Sequence, residues 1–540
     1  MTTHVTTPTP TETASPTARE EVLALARRFK LAPEHPEACL AEARAHVAAP
    51  GFDDPSLADR RALPFVTIDN DDSRDLDQAL CLVDGPGEDE ATVYYALADA
   101  AYYVRPGSAL FTEALARAVS YYLPGLVVPM LPRVLSEDLV SLNEAVPRRA
   151  LLFRVVLGPD GDARAVGIER ALVTSRRKLS YRQVQRHWDG LAPDDPARPL
   201  AGQDFSHSLE LLREVGRRRV RLAEARHVVQ YQRIEVDIGF ADPRGRAFIA
   251  FESKRYESDR MNEQISLLVN VEGARFLAAR SAPGTQAIFR VHPAPMAPDL
   301  TAFAAMTRAL IEAHGRPRAL AWDARAESLA AWLERIEAAQ TDDPSLAGLA
   351  LTLQRQALLL NQRSTFSAEP GLHFGVGAPC YARFSSPMRE VVGIFTHKEA
   401  LEALGLEPPR PDLEDEELRI AVIAAANRAK DLQHELTKAA NQLVIDATLA
   451  ADLAHGDAPE RVGTLVGLGP DRLYVLIDEP PLELKVYARD LGPRWSLTPT
   501  TLSTTGPDGE RSFVLGQRVA LRVVRHDDSR DRWVLAIAHA

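Results

Sequence analysis

The chain has 540 residues, more than one hydrophobic core usually accommodates, and with 46% hydrophobic and 26% charged residues it has the composition of a folded globular protein. No apolar run approaches the roughly 20 residues of a membrane span, and the first residues contain neither a basic nor an apolar segment, so we expect neither a membrane protein nor an exported one. The formal net charge of −12 disfavours a protein that coats duplexes, but an enzyme that threads one strand needs positive charge only along its channel. Three scattered cysteines do not form a zinc site and indicate buried thiols in a reducing cytoplasm: Cys39, Cys81 and Cys380.

The N-terminal end divides into a tail and a pair of helices. Residues 1–18 are rich in Thr and Pro and have little to bury, so we predict a disordered tail there. In residues 19–60, Val22, Leu25 and Phe29 recur at helical spacing, and a second helix follows a proline-containing break. We predict a small helical module of helix-turn-helix character, for which packing and nucleic-acid contact are both open roles.

The most informative stretch is residues 65–81, FVTIDNDDSRDLDQALC, in which one apolar run leads into five aspartates and a second leads away. This pattern predicts a strand, a tight acidic loop and another strand. The loop could be a solvated turn, a calcium loop of the EF-hand type or a catalytic metal site. Counted from Asp69, the EF-hand pattern requires Gly and Glu where the sequence has Arg74 and Leu80, so that interpretation fails. The spacing alone leaves the other two open.

The remainder of the chain mixes strands and helices and ends in strands. Val- and Ile-rich segments in residues 63–157 predict a mixed sheet, whereas residues 406–416, which are Pro-rich and then acidic, predict a loop. Five short strands after residue 460 predict a small barrel. The other predicted elements are a strand and a helix over 165–188, a helix over 206–230, strands over 233–251, helices over 262–280, 300–314, 346–361 and 418–451, and a linker over 454–460.

Further motifs follow the acidic loop within residues 63–446. They are YYALADAAYYVRPGS (94–108), YLPGLVVPMLP (122–132) with LSEDLVSLN (135–143), and HFG (373–375) with SSPMR (385–389) and a downstream His397. Together with the acidic loop, and in this order, these motifs resemble the ribonuclease II/R, or RNB, family of exoribonucleases.

The resemblance implies a multidomain α+β fold. A mixed α+β RNB catalytic domain with a central RNA channel is expected over residues 61–453, and a C-terminal five-stranded barrel of the OB type, which binds RNA, over residues 460–540. The family usually carries two cold-shock OB barrels before the catalytic domain. The helical module of residues 19–60 is too short and too helical for these barrels, so the chain departs from the family at this end.

The resemblance also assigns a metal site. Asp69, Asp75 and Asp77 match the first three metal-binding aspartates of the family, and Gln78 occupies the place of the fourth. Glutamine offers an amide oxygen but no charge, so one of two expected magnesium ions should bind more weakly. Compensation by Asp71 or by its neighbour Asp72 is open. Two divalent ions would activate a water and relieve charge on the phosphodiester.

Two further residues are assigned to RNA. Arg389 matches the arginine that clamps the scissile phosphate, a role that suits a side chain that stays charged and bonds two oxygens at once. Tyr122 matches the tyrosine that stacks on the 3′-terminal base, a sequence-tolerant contact. After Arg389 the family has a basic residue, an aromatic residue and an aspartate, where this chain has Glu390, Val391 and Gly393.

The activity that this resemblance implies is magnesium-dependent 3′→5′ hydrolysis of single-stranded RNA, processively, to nucleoside 5′-monophosphates in RNA turnover. We expect a cytoplasmic monomer. Two alternatives are open: an RNA-binding pseudoenzyme in which Gln78 has disabled the metal site, and a nuclease directed at DNA, because no motif reveals contacts to the 2′-hydroxyl.

Overall fold

The computed structural model describes residues 16–231, 235–280, 284–455, 458–492, 494–506 and 509–539. Most of the predicted tail therefore lies outside the described residues, and its last residue, Ala18, already belongs to a helix capped by Thr17. Within those ranges, no helix combines the length and the apolar character that crossing a membrane requires.

The described elements are as follows. The α-helices are α1 (Ala18–Arg28), α2 (Glu37–Ala48), α3 (Ala100–Tyr103), α4 (Ala109–Arg117), α5 (Tyr181–Trp188), α6 (Ser206–Ala225), α7 (Glu257–Ala278), α8 (Ala297–Ala313), α9 (Leu329–Asp342), α10 (Ala347–Leu358), α11 (Val391–Ala403), α12 (Asp412–Ala454) and α13 (Ala488–Leu491). The strands are β1 (Ala58–Asp59), β2 (Phe65–Asp69), β3 (Gln78–Asp84), β4 (Ala91–Ala98), β5 (Tyr121–Leu123), β6 (Leu126–Val128), β7 (Pro147–Leu157), β8 (Ala163–Ser180), β9 (Val236–Phe240), β10 (Phe248–Glu252), β11 (Phe289–Val291), β12 (Thr365–Ser367), β13 (Arg461–Gly469), β14 (Arg472–Ile477), β15 (Glu483–Tyr487), β16 (Arg494–Leu497), β17 (Thr501–Gly506), β18 (Gly509–Val514), β19 (Arg518–Asp527) and β20 (Arg532–His539). Short turns of other helical types are Val134–Leu139 (π) and Arg318–Leu320, Pro344–Leu346 and Phe374–Val376 (3-10).

The predicted mixed sheet is present and closes on itself. Strand β8 pairs antiparallel with β7 through its first part and parallel with β2 through its last residues. Strands β2, β3, β4 and β7 pair in sequence, all antiparallel, so five strands form a hydrogen-bonded ring. The short β1 adds to β8.

Both faces of this sheet are buried. Along β3, Ala79 and Cys81 face one hydrophobic cluster, which includes α2, α4, α11 and α12, while Leu80 and Leu82 face another, which includes α5, α6 and α7. A strand that is covered on both sides reads as a continuous apolar run, which is why residues 79–83 show no alternation.

The two predicted N-terminal helices are present, but each packs mainly on a different part of the molecule. Val22 and Leu25 of α1 pack on the β5–β6 hairpin and on Leu436 of α12. Cys39 and Ala43 of α2 belong to the cluster that contains α4. The apolar stripe of each helix is thus covered by residues after position 60, and the boundary of a separate module at that position stays a prediction.

The five predicted C-terminal strands form one antiparallel sheet in the order β15-β14-β13-β19-β20, and its two edge strands contact each other. Three strands that the sequence did not predict, β16, β17 and β18, form a second sheet inserted before β19. The predicted loop over 406–416 is wrong at its end, because α12 begins at Asp412 directly after Pro411. Proline and then acidic residues favour the start of a helix, since proline needs no amide partner there and carboxylates complement the helix dipole.

Candidate active site

The acidic loop connects β2 to β3, with Asp69 as the last residue of one strand and Gln78 as the first of the next. Ser141, from the LSEDLVSLN motif, fixes the loop from one side: its Oγ accepts the Leu76 amide at 3.0 Å and donates to the Arg74 carbonyl at 2.8 Å. This motif is therefore a brace for the acidic loop.

Lys178 of β8 fixes the loop from the other side. Its Nζ donates to the carbonyl oxygens of Asp71, at 3.1 Å, and of Ser73. The side chain of Asp71 is exposed and pairs with Arg182 at 3.5 Å.

Asp77 joins the loop to the SSPMR segment. Its side chain is fully buried, and its oxygens accept hydrogen bonds from the Met388 amide at 2.8 Å and from Arg389 Nε at 2.6 Å. Burial raises the pKa of Asp77 to about 6, although Arg389 opposes the shift. Burial alone would lower the pKa of Arg389, but the negative charges led by Asp77 raise it, so the guanidinium stays charged.

The turn that presents Arg389 is held by buried groups. Ser386 has φ +63°, in the left-handed region that is costly for residues other than glycine, and its carbonyl accepts the amides of Arg389 and Glu390. Asn270 of α7 braces the preceding residues, because its Oδ1 accepts the Phe384 and Ser385 amides at 2.8 and 2.9 Å. Sequence reasoning missed Asn270, whose only signal is a polar residue on the buried face of an amphipathic helix.

His397, which the sequence motifs included, has the same structural role. It is fully buried, its Nε2 lies 2.8 Å from the Phe384 carbonyl, and burial lowers its pKa to about 4.

Tyr122 lies beside this turn. The Ser120 amide donates to the Arg389 carbonyl at 2.9 Å, and Val119 forms a bridge with Glu390, so the strand that carries Tyr122 runs next to Arg389. Tyr122 is 48% exposed, and its hydroxyl donates to Asp75 Oδ2 at 3.1 Å. The structure therefore brings Asp75, Asp77, Arg389 and Tyr122 together from three distant segments.

Gln78 has a hydrogen-bond partner within the sheet. Its Oε1 accepts a hydrogen bond from the hydroxyl of Tyr95, a fully buried residue of β4. The amide oxygen keeps a second lone pair beside this hydrogen bond, so its binding of an ion stays a prediction. No sequence motif singled out Tyr95 as its partner.

The donor set of the loop fits a hard divalent ion. Asp69 and Asp75 are partly exposed carboxylates, and each oxygen of Asp77 keeps a second lone pair beside its present hydrogen bond. In the described ranges, the only trio of acidic, His or Cys side chains with ligand atoms within 4.8 Å of one another lies elsewhere: Glu399, Glu402 and Asp415. Lys398 Nζ already sits among those three carboxylates, at 2.6, 3.0 and 2.8 Å.

A basic cavity of about 1040 Å³ opens beside Tyr122 and Arg389. Lys430 lies in the wall of this cavity, where burial and the charge of Arg290 lower its pKa to about 8. Three further arginines also line it, Arg290, Arg363 and Arg383.

A second cavity, of about 730 Å³, lies between α12 and the C-terminal sheet. His434 and Thr437 of α12 line both cavities, so the two cavities adjoin along this helix as one candidate path. Its far part contains the cationic and aromatic side chains Lys438, Lys485, Tyr487, Arg532 and Trp533.

Comparison with known proteins supports one family. A family model described as "RNB domain" matches residues 58–405. Ribonuclease R of Escherichia coli (strain K12) is 30% identical over 343 residues, which are 63% of this chain and 39% of that protein. Exoribonuclease 2 of Edwardsiella piscicida is 32% identical over 356 residues, 65% of this chain and 51% of that one. The chain thus spans about half or less of the length of these relatives.

Solved structures share the fold over more of the chain. Mycoplasma genitalium RNase R in complex with ribose methylated single-stranded RNA has a TM-score of 0.82 at 20% identity, covering 97% of this chain and 78% of that one. Yeast Ssd1, described as a pseudonuclease, has a TM-score of 0.62 at 15% identity, covering 88% of this chain and 54% of that one.

Proposed function

Because the chain belongs to the RNB family, we propose that it is a magnesium-dependent 3′→5′ exoribonuclease that hydrolyses single-stranded RNA processively to nucleoside 5′-monophosphates. One observation carries this proposal: the ion pair between buried Asp77 and Arg389 lies beside the first of two adjoining cavities, both of which are lined by basic side chains. RNase R and exoribonuclease 2, which act on RNA by name, support the same class of substrate.

In this proposal Asp69, Asp75 and Asp77 hold two magnesium ions. When bound, the two ions would activate a water molecule and would stabilise the negative charge on the phosphodiester. Gln78 is an uncharged and therefore weaker ligand in the place of the fourth aspartate.

Arg389 binds the scissile phosphate. Its Nε donates to Asp77, which fixes the plane of the guanidinium, and its Nη2 makes a long contact of 3.4 Å with Ser386 Oγ. The terminal nitrogens are therefore the groups that would bind phosphate oxygens, with Nη1 the freer of the two. Tyr122, half exposed beside Arg389, stacks on the 3′-terminal base. Because stacking reads no sequence, these roles suit an enzyme that degrades RNA of any sequence.

A second candidate is an RNA-binding pseudoenzyme of the same fold. Two observations favour it: Gln78 offers no charge and gives its oxygen to Tyr95, and the fold is shared with a pseudonuclease. The carboxylates of Asp69, Asp75 and Asp77, together with Arg389, favour the enzyme.

Incubation of purified protein with 5′-end-labelled single-stranded RNA and magnesium tests the proposal. We expect nucleoside 5′-monophosphates and a short residual 5′ oligomer, without intermediate lengths if digestion is processive, and EDTA should stop the reaction. Internal cuts or 3′-monophosphate products would contradict it. RNA binding without any hydrolysis would favour the pseudoenzyme, and a matched DNA strand tests the preference for ribose.

A further inference from the structure

The residue after Arg389 is acidic, although it lines the basic cavity. Glu390 lies near Arg290 and Lys430, and its charge acts on the pKa of both. A carboxylate without a direct partner at this place would repel the phosphates of a bound strand, because partial burial weakens the screening by water. A direct ion pair with Glu390 would reduce this repulsion.

Arg383 forms that ion pair. Its Nε and Nη2 both donate to Glu390 Oε1, at 3.0 and 2.7 Å, and about a quarter of each side chain is exposed. The two residues flank the turn in which Ser386 has φ +63°. The ion pair thus closes the turn from which Arg389 projects.

The first turn of α11 is fitted to the same arrangement. The Gly393 amide donates to the Glu390 carbonyl at 2.9 Å, and a Cβ on Gly393 would lie 2.8 Å from the Cα of Pro387. Only glycine allows the helix to start this close to the turn. The Arg383–Glu390 pair adds a side-chain link between the two ends of this turn, beside the backbone contacts made by Asn270.

We propose that the Arg383–Glu390 ion pair positions Arg389, and that Arg383 acts through Glu390 rather than by binding RNA phosphate. This inference rests on the proposed function, in which Arg389 contacts the scissile phosphate. Both partners are positioning residues. The opposite charges of Arg383 and Glu390 cancel, so the pair as a whole does not change the net charge of the cavity. Its role is instead to fix the backbone between residues 383 and 390.

Four variants test the pair: Arg383→Gln, Glu390→Gln, the double variant R383Q/E390Q and the charge swap R383E/E390R. At saturating RNA we expect each single variant to lower the single-turnover rate by about 10- to 100-fold, the loss that a displacement of roughly 1 Å in an active site produces. The double variant should lose little more than either single one, and the swap should recover most of the rate, because coupled residues are not additive.

A binding measurement in EDTA separates positioning from direct contact. R383Q/E390Q keeps the net charge, so the dependence of RNA affinity on salt should match that of the wild type. Loss of one phosphate contact would reduce the slope of log affinity against log salt by about 0.7 for a single strand. Such a reduction in the double variant would show that Arg383 binds RNA and would overturn the proposal. A double variant with the wild-type rate would overturn it as well.

Arg213 and Glu257 provide a matched control pair. Arg213 Nε and Nη2 also donate to one oxygen of Glu257, at 3.1 and 2.8 Å, with similar exposure, but they join α6 to α7. Arg213→Gln should leave the rate and the salt dependence unchanged. A wild type that binds RNA without hydrolysing it would contradict the proposed function. In that case the salt dependence of RNA binding by R383Q/E390Q would still show whether Arg383 binds RNA directly.

Discussion

Asp77 is the residue at which two halves of the candidate site meet, since its partners Met388 and Arg389 follow it by more than 300 residues in the chain. A carboxylate accepts from both donors at once. Asparagine would keep one acceptor oxygen but would direct an NH₂ group at the other donor, so it loses a hydrogen bond as well as the charge.

We therefore expect Asp77→Asn to lower turnover by at least about 100-fold, the scale of removing one group that stabilises charge in a transition state. Affinity for single-stranded RNA should stay within a few fold, because Tyr122 and the basic cavity are untouched. Single-turnover rates and binding in EDTA measure the two effects. Asp71→Asn is the control: its exposed side chain faces Arg182 and should not matter. Nearly intact turnover in Asp77→Asn would show that Asp77 has another role.

Gln78 shows where sequence reasoning reached its limit. The spacing of the aspartates identified the loop, but the partner of Gln78 is Tyr95, which lies on a neighbouring strand and to which the motif of residues 94–108 assigned no role. A hydrogen bond between strands depends on register, and register is set by the fold rather than by local sequence.

Gln78→Asp tests what this residue contributes. A carboxylate at position 78 would add attraction for a cation in a partly desolvated site, so the variant should need several-fold less magnesium for half-maximal single-turnover rate than the wild type. Calorimetric titration of magnesium without RNA should show the same shift. Tyr95→Phe, which frees the amide oxygen but adds no charge, should shift the titration less. Identical curves for Gln78→Asp and the wild type would mean that position 78 does not act on an ion.

At the scale of elements, the sequence predicted best those that show a clear pattern. The apolar strands β2 and β3 were predicted, as were the amphipathic helices α6, α7 and α8. Helix α11 was missed because every residue from 391 to 401 is buried, so it has no polar face to produce a helical period. Strand β16 was missed because all four of its residues are exposed, so it has no apolar alternation.

Helix α11 also carries a pH-sensitive group. Burial raises the pKa of Glu399 to about 7, against the opposing charge of Lys398. The other neighbours of Glu399 are the carboxylates of Glu402 and Asp415 and the backbone amide of Gln286, which donates to Glu399 at 2.6 Å. A carboxyl whose pKa is raised on folding contributes stability that is complete below its ordinary value of 4.5 and is lost as pH rises through about 7.

As the pH rises from 5 to 8, the free energy of unfolding of the wild type should therefore fall relative to that of the Glu399→Gln variant. The amide keeps the shape and the acceptor oxygen but cannot ionise. One pKa unit corresponds to about 1.4 kcal/mol, so we expect a relative loss of more than about 1 kcal/mol, measured by denaturant unfolding at each pH. Glu414→Gln, at an exposed site on α12, should show no such trend. If the wild type instead gained stability relative to Glu399→Gln as the pH rises, the charge of Lys398 would dominate and lower the pKa of Glu399.

At the scale of the whole molecule, the C-terminal sheet is built onto the helical part. Strands β13, β14 and β19 share one hydrophobic cluster with α8, α9 and α10. At the closest approach, a Cβ on Gly348 would lie 2.6 Å from the backbone oxygen of Gly516. These contacts join residues more than 100 positions apart, so no local pattern could predict them. They fix the walls of the path along α12, which suits our proposal that a strand reaches the catalytic end through it.

Lys438 and Lys485 test this path because they line only its far cavity. If a strand occupies both cavities, Lys438→Ala and Lys485→Ala should each weaken binding of an RNA of about 15 nucleotides, within the range of such binding sites. Each should also reduce the slope of log affinity against log salt by about 0.7. Single-turnover hydrolysis of a tetranucleotide, which reaches only the cavity beside Arg389, should be unchanged. Arg44→Ala is the control, because Arg44 is exposed on α2 and pairs with Glu37. Equal losses with the short and the long RNA would mean that the lysines act on the fold, and no loss with either would mean that RNA takes another route to Arg389.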